Sequence, residues 1–424
     1  MAKSPYEKAY FQILKEELVP ALGCTEPIAV AFAAAKARDV LGTMPDKVVL
    51  HCSGGLIKNI KCVVVPNTGN LVGIEASALA GVVGGDASLD LEVLSALTEA
   101  DIDQVRSLLM ANICEVKLLE TKLNLHFIVR VEKDGESAEV EIKNLHTNIV
   151  RIAKNDVTIH QINEEKGKYY GVMTDRSSLR IDRIVEFADN VELSLLKDVF
   201  AKQVAYNMAI AEDGLSSDYG VMIGKAILAN DASLPGKIKA YAASASEARM
   251  CGSQLPVVTN SGSGNQGIAA SVPIVLYAKE KGFSEERMYR ALAVANLLTI
   301  YQKTHIGRLS AFCGAVSACC GAGAGITFLE GGDLEQIKMT VTNALANVSG
   351  IVCDGAKDSC ASKIATGLEA AFIGHYLAMV RHSYNPFTGF LRKDADETIT
   401  AVGRIATDGM KDTDQVILKI MLEK

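Results

Sequence analysis

Residues 114–160 read CEVKLLETKLNLHFIVRVEKDGESAEVEIKNLHTNIVRIAKNDVTIH. Apolar and polar residues alternate through CEVKLLE, LNLHFIVRVE, AEVEIKN, TNIVRIAK and DVTIHQI. A period of two turns one face of each run to a core and the other to water, so these are strands. The Lys133–Asp134–Gly135 turn supplies the residues a tight hairpin needs. The runs predict a largely antiparallel sheet.

On the N-terminal side, residues 6–18 have helical periodicity, and Pro20 helps to end the run. ALGCTEP follows, then IAVAFAAAKARDVLG, a second helix closed by Gly42. Thr25 can cap it, with Pro27 in its first turn. Short β-like runs over 47–51 and 57–65 are joined by CSGG and followed by PNTGN. A helix is expected over 75–83 and two short ones within 89–110.

On the C-terminal side, the polar segment 163–178 reads as a loop or excursion. From residue 179 almost everything is helical, with helices expected near 179–188, 193–211, 219–229, 236–250, 266–281, 285–302, 311–328, 334–347, 360–381, 394–407 and 410–422. The fold class is therefore α+β. Residues 1–185 form an α+β domain with a mostly antiparallel sheet, and 186–424 a nearly all-helical domain.

A chain of 424 residues is longer than one ordinary domain. Apolar residues make up 49% and mean hydropathy is +0.19, ample for a large core. Trp is absent, and Ala, Gly and Val carry much of the apolar content, so close helix packing is expected. A net charge of −7 without a basic run argues against a nucleic-acid or anionic-membrane footprint. The N-terminus lacks a signal-peptide core. The most apolar stretch, 314–329, is too short to span a bilayer. A cytoplasmic, homo-oligomeric protein is expected, and there thiols stay reduced.

Ten cysteines then become informative. GIVCDGAKDSCA, residues 350–361, holds Cys353 and Cys360, and HIGRLSAFCGAV holds Cys313. Small residues around each let backbone approach an inorganic group and leave N–H groups for sulfur. Three such thiolates could hold an iron–sulfur cluster with one iron unligated by cysteine. The other reading is ordinary core cysteine. Cys319, Cys320, Cys52, Cys62, Cys114 and Cys251 are assigned to the core.

Cys24 sits ahead of a helix N-terminus, whose dipole favours a thiolate. TNSGSGNQG, 259–267, contains G-x-G-x-x-G but lacks a βαβ unit, which excludes a dinucleotide fold. The loop opens a helix, and its N–H groups with Ser261, Ser263 and Asn265 could grip a carboxylate. His305 and Arg308 in HIGRL read as an acid/base group and an anion clamp, or as helix C-terminal partners of carbonyls. Lys357 reads as charge balance or a substrate contact rather than a pyridoxal-phosphate lysine. No H-E-x-x-H pair suggests a zinc hydrolase.

ALGCTEP, CSGG with PNTG, TNSGSGNQG, THIGRLSAFCGAV, GIVCDGAKDSCASK and VGRIATDGM together resemble the L-cysteine desulfidase family, relatives of the iron–sulfur L-serine dehydratases. TNSGSGNQG and CGAVSAC look like the carboxylate loop and first cluster cysteine of the dehydratase α-portion. Cys24 and the C-x₆-C spacing match the desulfidases more closely. The resemblance implies a [4Fe–4S] cluster on Cys313, Cys353 and Cys360, with the open iron as Lewis acid. It implies breakdown of L-cysteine to hydrogen sulfide, pyruvate and ammonia. The small amino-acid substrate would dock its carboxylate on the 261–267 loop, helped by Ser53, Asn67, Thr68, Arg308 and Lys357. Cys24 would be the base or a fourth ligand, with His305 as a further catalytic group. The alternatives are an L-serine dehydratase-like deaminase and a non-catalytic iron–sulfur redox sensor.

Overall fold

The computed structural model of the chain describes residues 6–162 and 173–423. The core of the segment expected to be a loop, 163–172, lies outside the described residues. The strands are β1 (Pro20–Leu22), β2 (Lys47–Cys52), β3 (Cys114–Leu118), β4 (His126–Lys133), β5 (Glu136–Lys143), β6 (Ile149–Lys154), β7 (Val157–Gln161) and β8 (Pro256–Val258). Six of them form one sheet in the order β3-β2-β4-β5-β6-β7, antiparallel except between β2 and β3.

The alternation in 114–160 is realised as read. Phe127, Val129 and Val131 of β4 and Val140 and Ile142 of β5 point to one side and are buried. Asp134 and Gly135 take positive φ in the hairpin between them. The buried face packs on the helix Thr25–Leu41, which a second helix, Ile74–Gly84, covers from behind. Ala31 and Gly81 meet at that crossing, and a Cβ on Gly81 would strike the Ala31 carbonyl.

Two expectations in this half are corrected. Residues 57–65 are not a strand: Gly54–Ile60 is a short helix followed by a turn. Leu56, Ile57 and Ile60 turn inward at helical spacing, so packing overrides the β preference of Ile. In 89–110 the first element is a 3₁₀ turn, Ala87–Glu92. The second is a true helix, Glu99–Met110, capped reciprocally by Thr98 and Asp101.

From Ile181 onward the structure is helical, apart from β8. Helix Gly314–Leu329 is almost wholly buried, with Glu285–Ile306, Gly264–Lys281, Leu334–Val348 and Cys360–Met379 around it. Its glycines explain the fit. Gly321 and Gly325 lie against the carbonyls of Ala295 and Ala291, and Gly323 against Ala371. Among the described residues no helix is long and apolar enough to cross a membrane.

The apolar side chains gather into two cores, one under the sheet and one among the helices. Two segments pack across residue 185. Helix Glu7–Glu17 places Tyr10, Ile13 and Leu14 in the helical core. Helix Lys411–Leu422 lies on Gly54–Ile60 and sets Leu418 against the sheet core. β1 and β8 join as an antiparallel ribbon, Ala21 opposite Val257. Three residues per strand are too few to show a period, and the sequence reading missed both.

Gly81→Ala tests the close crossing. Ala is the better helix former by about 1 kcal/mol, but overpacking costs about 1–3 kcal/mol. The urea midpoint is expected to fall. An unchanged or higher midpoint would mean that the two helices separate freely.

Candidate active site

The β1–β8 ribbon delivers the ALGCTEP turn to the TNSGSGNQG loop. Gly23, at φ 59, leaves β1 so close to Pro66 of the PNTG turn that no Cβ would fit. Thr25 Oγ1 donates to the Gly262 carbonyl at 2.9 Å. Arg249 is buried beneath both segments: its Nε donates to Gly23 O at 2.9 Å and its Nη1 to Asn265 Oδ1 at 3.1 Å. Ser246 Oγ also donates to that Oδ1. Ser261 takes φ 51 and donates its hydroxyl to Asn260 Oδ1 at 2.8 Å. Ser263 caps helix Gly264–Lys281 without a side-chain bond. The glycine loop thus presents the N-terminus of an 18-residue helix, a place where anions are favoured.

Cys24 is the N-cap residue of Thr25–Leu41 and is only 2% exposed. Its Sγ donates to Glu26 Oε2 at 3.1 Å, and Thr25 Oγ1 lies 3.1 Å from the same oxygen as the second acceptor its single proton could serve. Asn59 Nδ2 reaches Glu26 Oε1 at 3.4 Å. His146 Nε2 stands 3.9 Å from the same oxygen with no hydrogen-bond partner of its own. Burial pushes the Cys24 thiol well above its ordinary range and the Glu26 charge pushes it further, while Arg249 pulls back. The helix dipole was expected to leave this thiol partly ionised; burial and the neighbouring carboxylate overrule it. Burial also opposes ionisation of Glu26, but His146 and the Cys24 thiol outweigh it and bring the carboxyl down to about 2.

The three candidate cluster cysteines come together. Phe312 and Val352 form an antiparallel bridge, Cys313 N–H donates to Ile351 O and Cys353 N–H to Ala311 O. Cys313 is the N-cap of Gly314–Leu329, and Cys360 opens Cys360–Met379. Burial, with Cys353 and Cys360 adding their charge, pushes the Cys313 thiol up to about 12. Burial likewise raises Cys360, again with a contribution from Cys353. Among the described residues no three His, Cys, Asp or Glu side chains converge as a single metal ion needs. A cubane cluster instead spreads its ligands over separate corners. The donor set of three soft thiols, two at helix N-termini, fits such a cluster.

Cations surround the trio. Lys58 Nζ donates to Cys353 O at 3.0 Å, and Lys363 Nζ to Val352 O at 2.9 Å. Lys303 is buried, donates to Arg308 O at 3.2 Å, and is lowered to about 8 by burial, with Cys353 and Cys313 pulling the other way. Gln266 joins the two halves of the site. Its amide lies against Gly314, next to Cys313, and its buried Oε1 has no partner.

The other residues singled out from sequence are placed unevenly. Arg308 donates Nη2 to both Glu17 oxygens at 2.8 Å, while Nη1 faces Gly262. With Thr25, His146, Thr259 and Gly262 it lines a cavity of about 330 Å³. Ser53 donates to Asn124 O at 2.7 Å, Thr68 to Val65 O at 2.7 Å and Asn67 to Leu94 O at 3.1 Å. All three thus hold turns together. Lys357 pairs with Asp354 at 2.5 Å. His305 turns away, stacked edge-on against Tyr301 and packed on Gly403, with Asp396 the carboxylate it senses. Cys319 and Cys320 are core, as expected, and so is Cys52. Cys62 is not: the turn after Gly54–Ile60 leaves it exposed, and Cys114 and Cys251 are only half-buried.

Sequence reasoning missed Glu26, Asn59, His146, Arg249, Gln266, Lys58 and Lys303. Glu26 stood inside the quoted ALGCTEP and Gln266 inside TNSGSGNQG. His146 had no local signal, because a turn between β5 and β6 carries it across to the glycine loop.

ALGCTEP thus meets TNSGSGNQG and the PNTG turn at one place, and THIGRLSAFCGAV meets GIVCDGAKDSCASK beside it. Residues 88–419 match the serine dehydratase alpha chain family, and the chain belongs to it. That membership supports a dehydratase-like lyase. Among relatives, a UPF0597 protein of Treponema denticola is 46% identical over 427 residues, covering 99% of each chain. One of Lachnoclostridium phytofermentans is 47% identical over 418 residues, 98% of this chain and 99% of its own. One of Finegoldia magna is 47% identical over 420 residues, 98% of this chain and all of its own.

Because Glu26 is held ionised by the fold, its contribution to stability is complete above the ordinary carboxylate range and is lost as pH falls toward about 2. The unfolding free energy of wild type minus that of Glu26→Gln should shrink by about 2 kcal/mol between about pH 5 and pH 3. Urea titrations at the two pH values check this; a difference independent of pH would refute the assignment.

Proposed function

We propose that the chain is an iron–sulfur-dependent β-elimination lyase that converts L-cysteine to hydrogen sulfide, pyruvate and ammonia. The observation that carries this reading is the antiparallel bridge of Phe312 with Val352, which sets the segments of Cys313 and Cys353 side by side with Cys360 seven residues on at a helix start. Those three thiolates would hold a [4Fe–4S] cluster, which supplies a Lewis acid for the departing β-substituent. The N-terminus of Gly264–Lys281 and the free Nη1 of Arg308 would receive the substrate carboxylate. Cys24 would take the Cα proton, its thiol first being ionised with help from the buried Arg249 cation. Elimination leaves aminoacrylate, which tautomerises and hydrolyses in water. A soft sulfur leaving group suits a soft donor site, which favours cysteine over serine. The family match keeps L-serine as the second substrate to test.

Three measurements separate these readings. Anaerobically purified protein should be brown and bleach in air, and Cys313→Ala, Cys353→Ala and Cys360→Ala should each fail to retain iron and sulfide. Any one variant with a full complement leaves the ligand set. Cys24→Ala should keep the cluster and lose turnover by at least about a hundredfold; wild-type turnover would rule it out as base. Pyruvate formation from L-cysteine, L-serine and L-threonine, assayed together, decides the substrate, and a chain inert to all three is not this lyase.

A further inference from the structure

Cys24 is almost sealed from solvent, yet a base that takes a proton from each substrate must lose one in every cycle. A line of polar atoms runs from it along which that proton can leave. Cys24 Sγ donates to Glu26 Oε2 at 3.1 Å. The other oxygen of Glu26 faces His146 Nε2 at 3.9 Å. That nitrogen is buried with no hydrogen-bond partner, a condition rare for a polar atom shut away from water. The His146 ring lies against Gly262, where an added Cβ would come within 3.1 Å of Cε1 and 3.4 Å of Nδ1. Gly262 and His146 are both walls of the 330 Å³ cavity. One nitrogen of the ring therefore looks inward to the carboxylate and the other toward the cavity side.

We propose that Glu26 and His146 form the proton path of Cys24, with His146 as its gate to the cavity. The proposal rests on the reading of Cys24 as base. The S–H bond of Cys24 breaks and an O–H bond forms on Glu26; the carboxyl turns and hands the proton to His146 Nε2. The Nδ1–H bond then releases a proton toward the cavity, so the imidazole ends neutral and Glu26 ends ionised. Nothing is oxidised or reduced. Imidazole suits the task because its protonation changes near neutral pH. The charged and titratable groups facing the path are Cys24 and Glu26 on one helix and Arg249 beneath them. Glu16, Glu17, Asp90, Glu92 and Arg308 stand on the cavity side. Asn59 Nδ2 reaches Glu26 Oε1 at 3.4 Å from the Gly54–Ile60 helix, a contact long enough to yield when the carboxyl turns.

The test uses the full-length enzyme loaded anaerobically, with pyruvate release and exchange of the substrate Cα proton into D₂O as readouts. His146→Ala should lower kcat by at least about a hundredfold, with KM little changed and iron content intact. Added imidazole should restore turnover in proportion to its concentration. His146→Gln, which keeps the size of the side chain, should show the same loss without rescue. A fall that imidazole does not restore in His146→Ala makes His146 structural and overturns the proposal, as does wild-type kcat in either variant. Those results leave the lyase reading standing when the wild-type enzyme is active. A wild-type chain that neither exchanges the Cα proton nor forms pyruvate from any β-substituted amino acid brings both down.

Discussion

Two short strands hold the candidate site together. When Pro20–Leu22 pairs with Pro256–Val258, the turn that carries Cys24 is fixed against the glycine loop at the head of Gly264–Lys281. The ribbon is only three residues long, too little to be stable by itself. Its strength comes from the side chains that cross it, above all Arg249, which satisfies Gly23 O and Asn265 Oδ1 together. A buried guanidinium is tolerated only because those acceptors surround it. The same residue supplies the positive charge that offsets burial of the Cys24 thiol.

Around this seam the site is a balance of buried charge. Glu26 is held below the ordinary carboxylate range, the Cys24 thiol is pushed up, and Lys303 is lowered to about 8 beside the thiol trio. Burial alone accounts for the direction at Cys24 and Lys303, since it favours the neutral thiol and the neutral amine; only Glu26 runs against it, through its neighbours. The chemistry of the region therefore belongs to the packing of two cores as much as to any single residue.

How far the sequence could be read follows from how each feature is encoded. Strands β4 to β6 and the long helices carry a period that repeats enough times to be seen, and they lie where expected. Ile57 and Ile60 misled because β-branched residues look the same in a buried helix as in a strand. Cys313, Cys353 and Cys360 stood out in sequence because small residues surround them, and the segments of the first two do lie side by side. Cys24 was legible in place but not in ionisation, since no local pattern announces that a carboxylate two residues on will face the same thiol. His146 and Lys303 were invisible for a different reason: topology brings them to the site, and topology is not written locally. His305 shows the converse, a residue with suggestive neighbours whose side chain packs on Tyr301 and Gly403 instead.

The ribbon also constrains how the molecule is made. Pro20–Leu22 leaves the ribosome long before Pro256–Val258 has been translated, and helix Glu7–Glu17 must likewise await the helices it packs on. Closing so wide a loop is slow, because chain entropy is given up before the contacts that reward it exist. The nascent sheet half must therefore hold an unpaired strand and an uncovered apolar helix for much of synthesis.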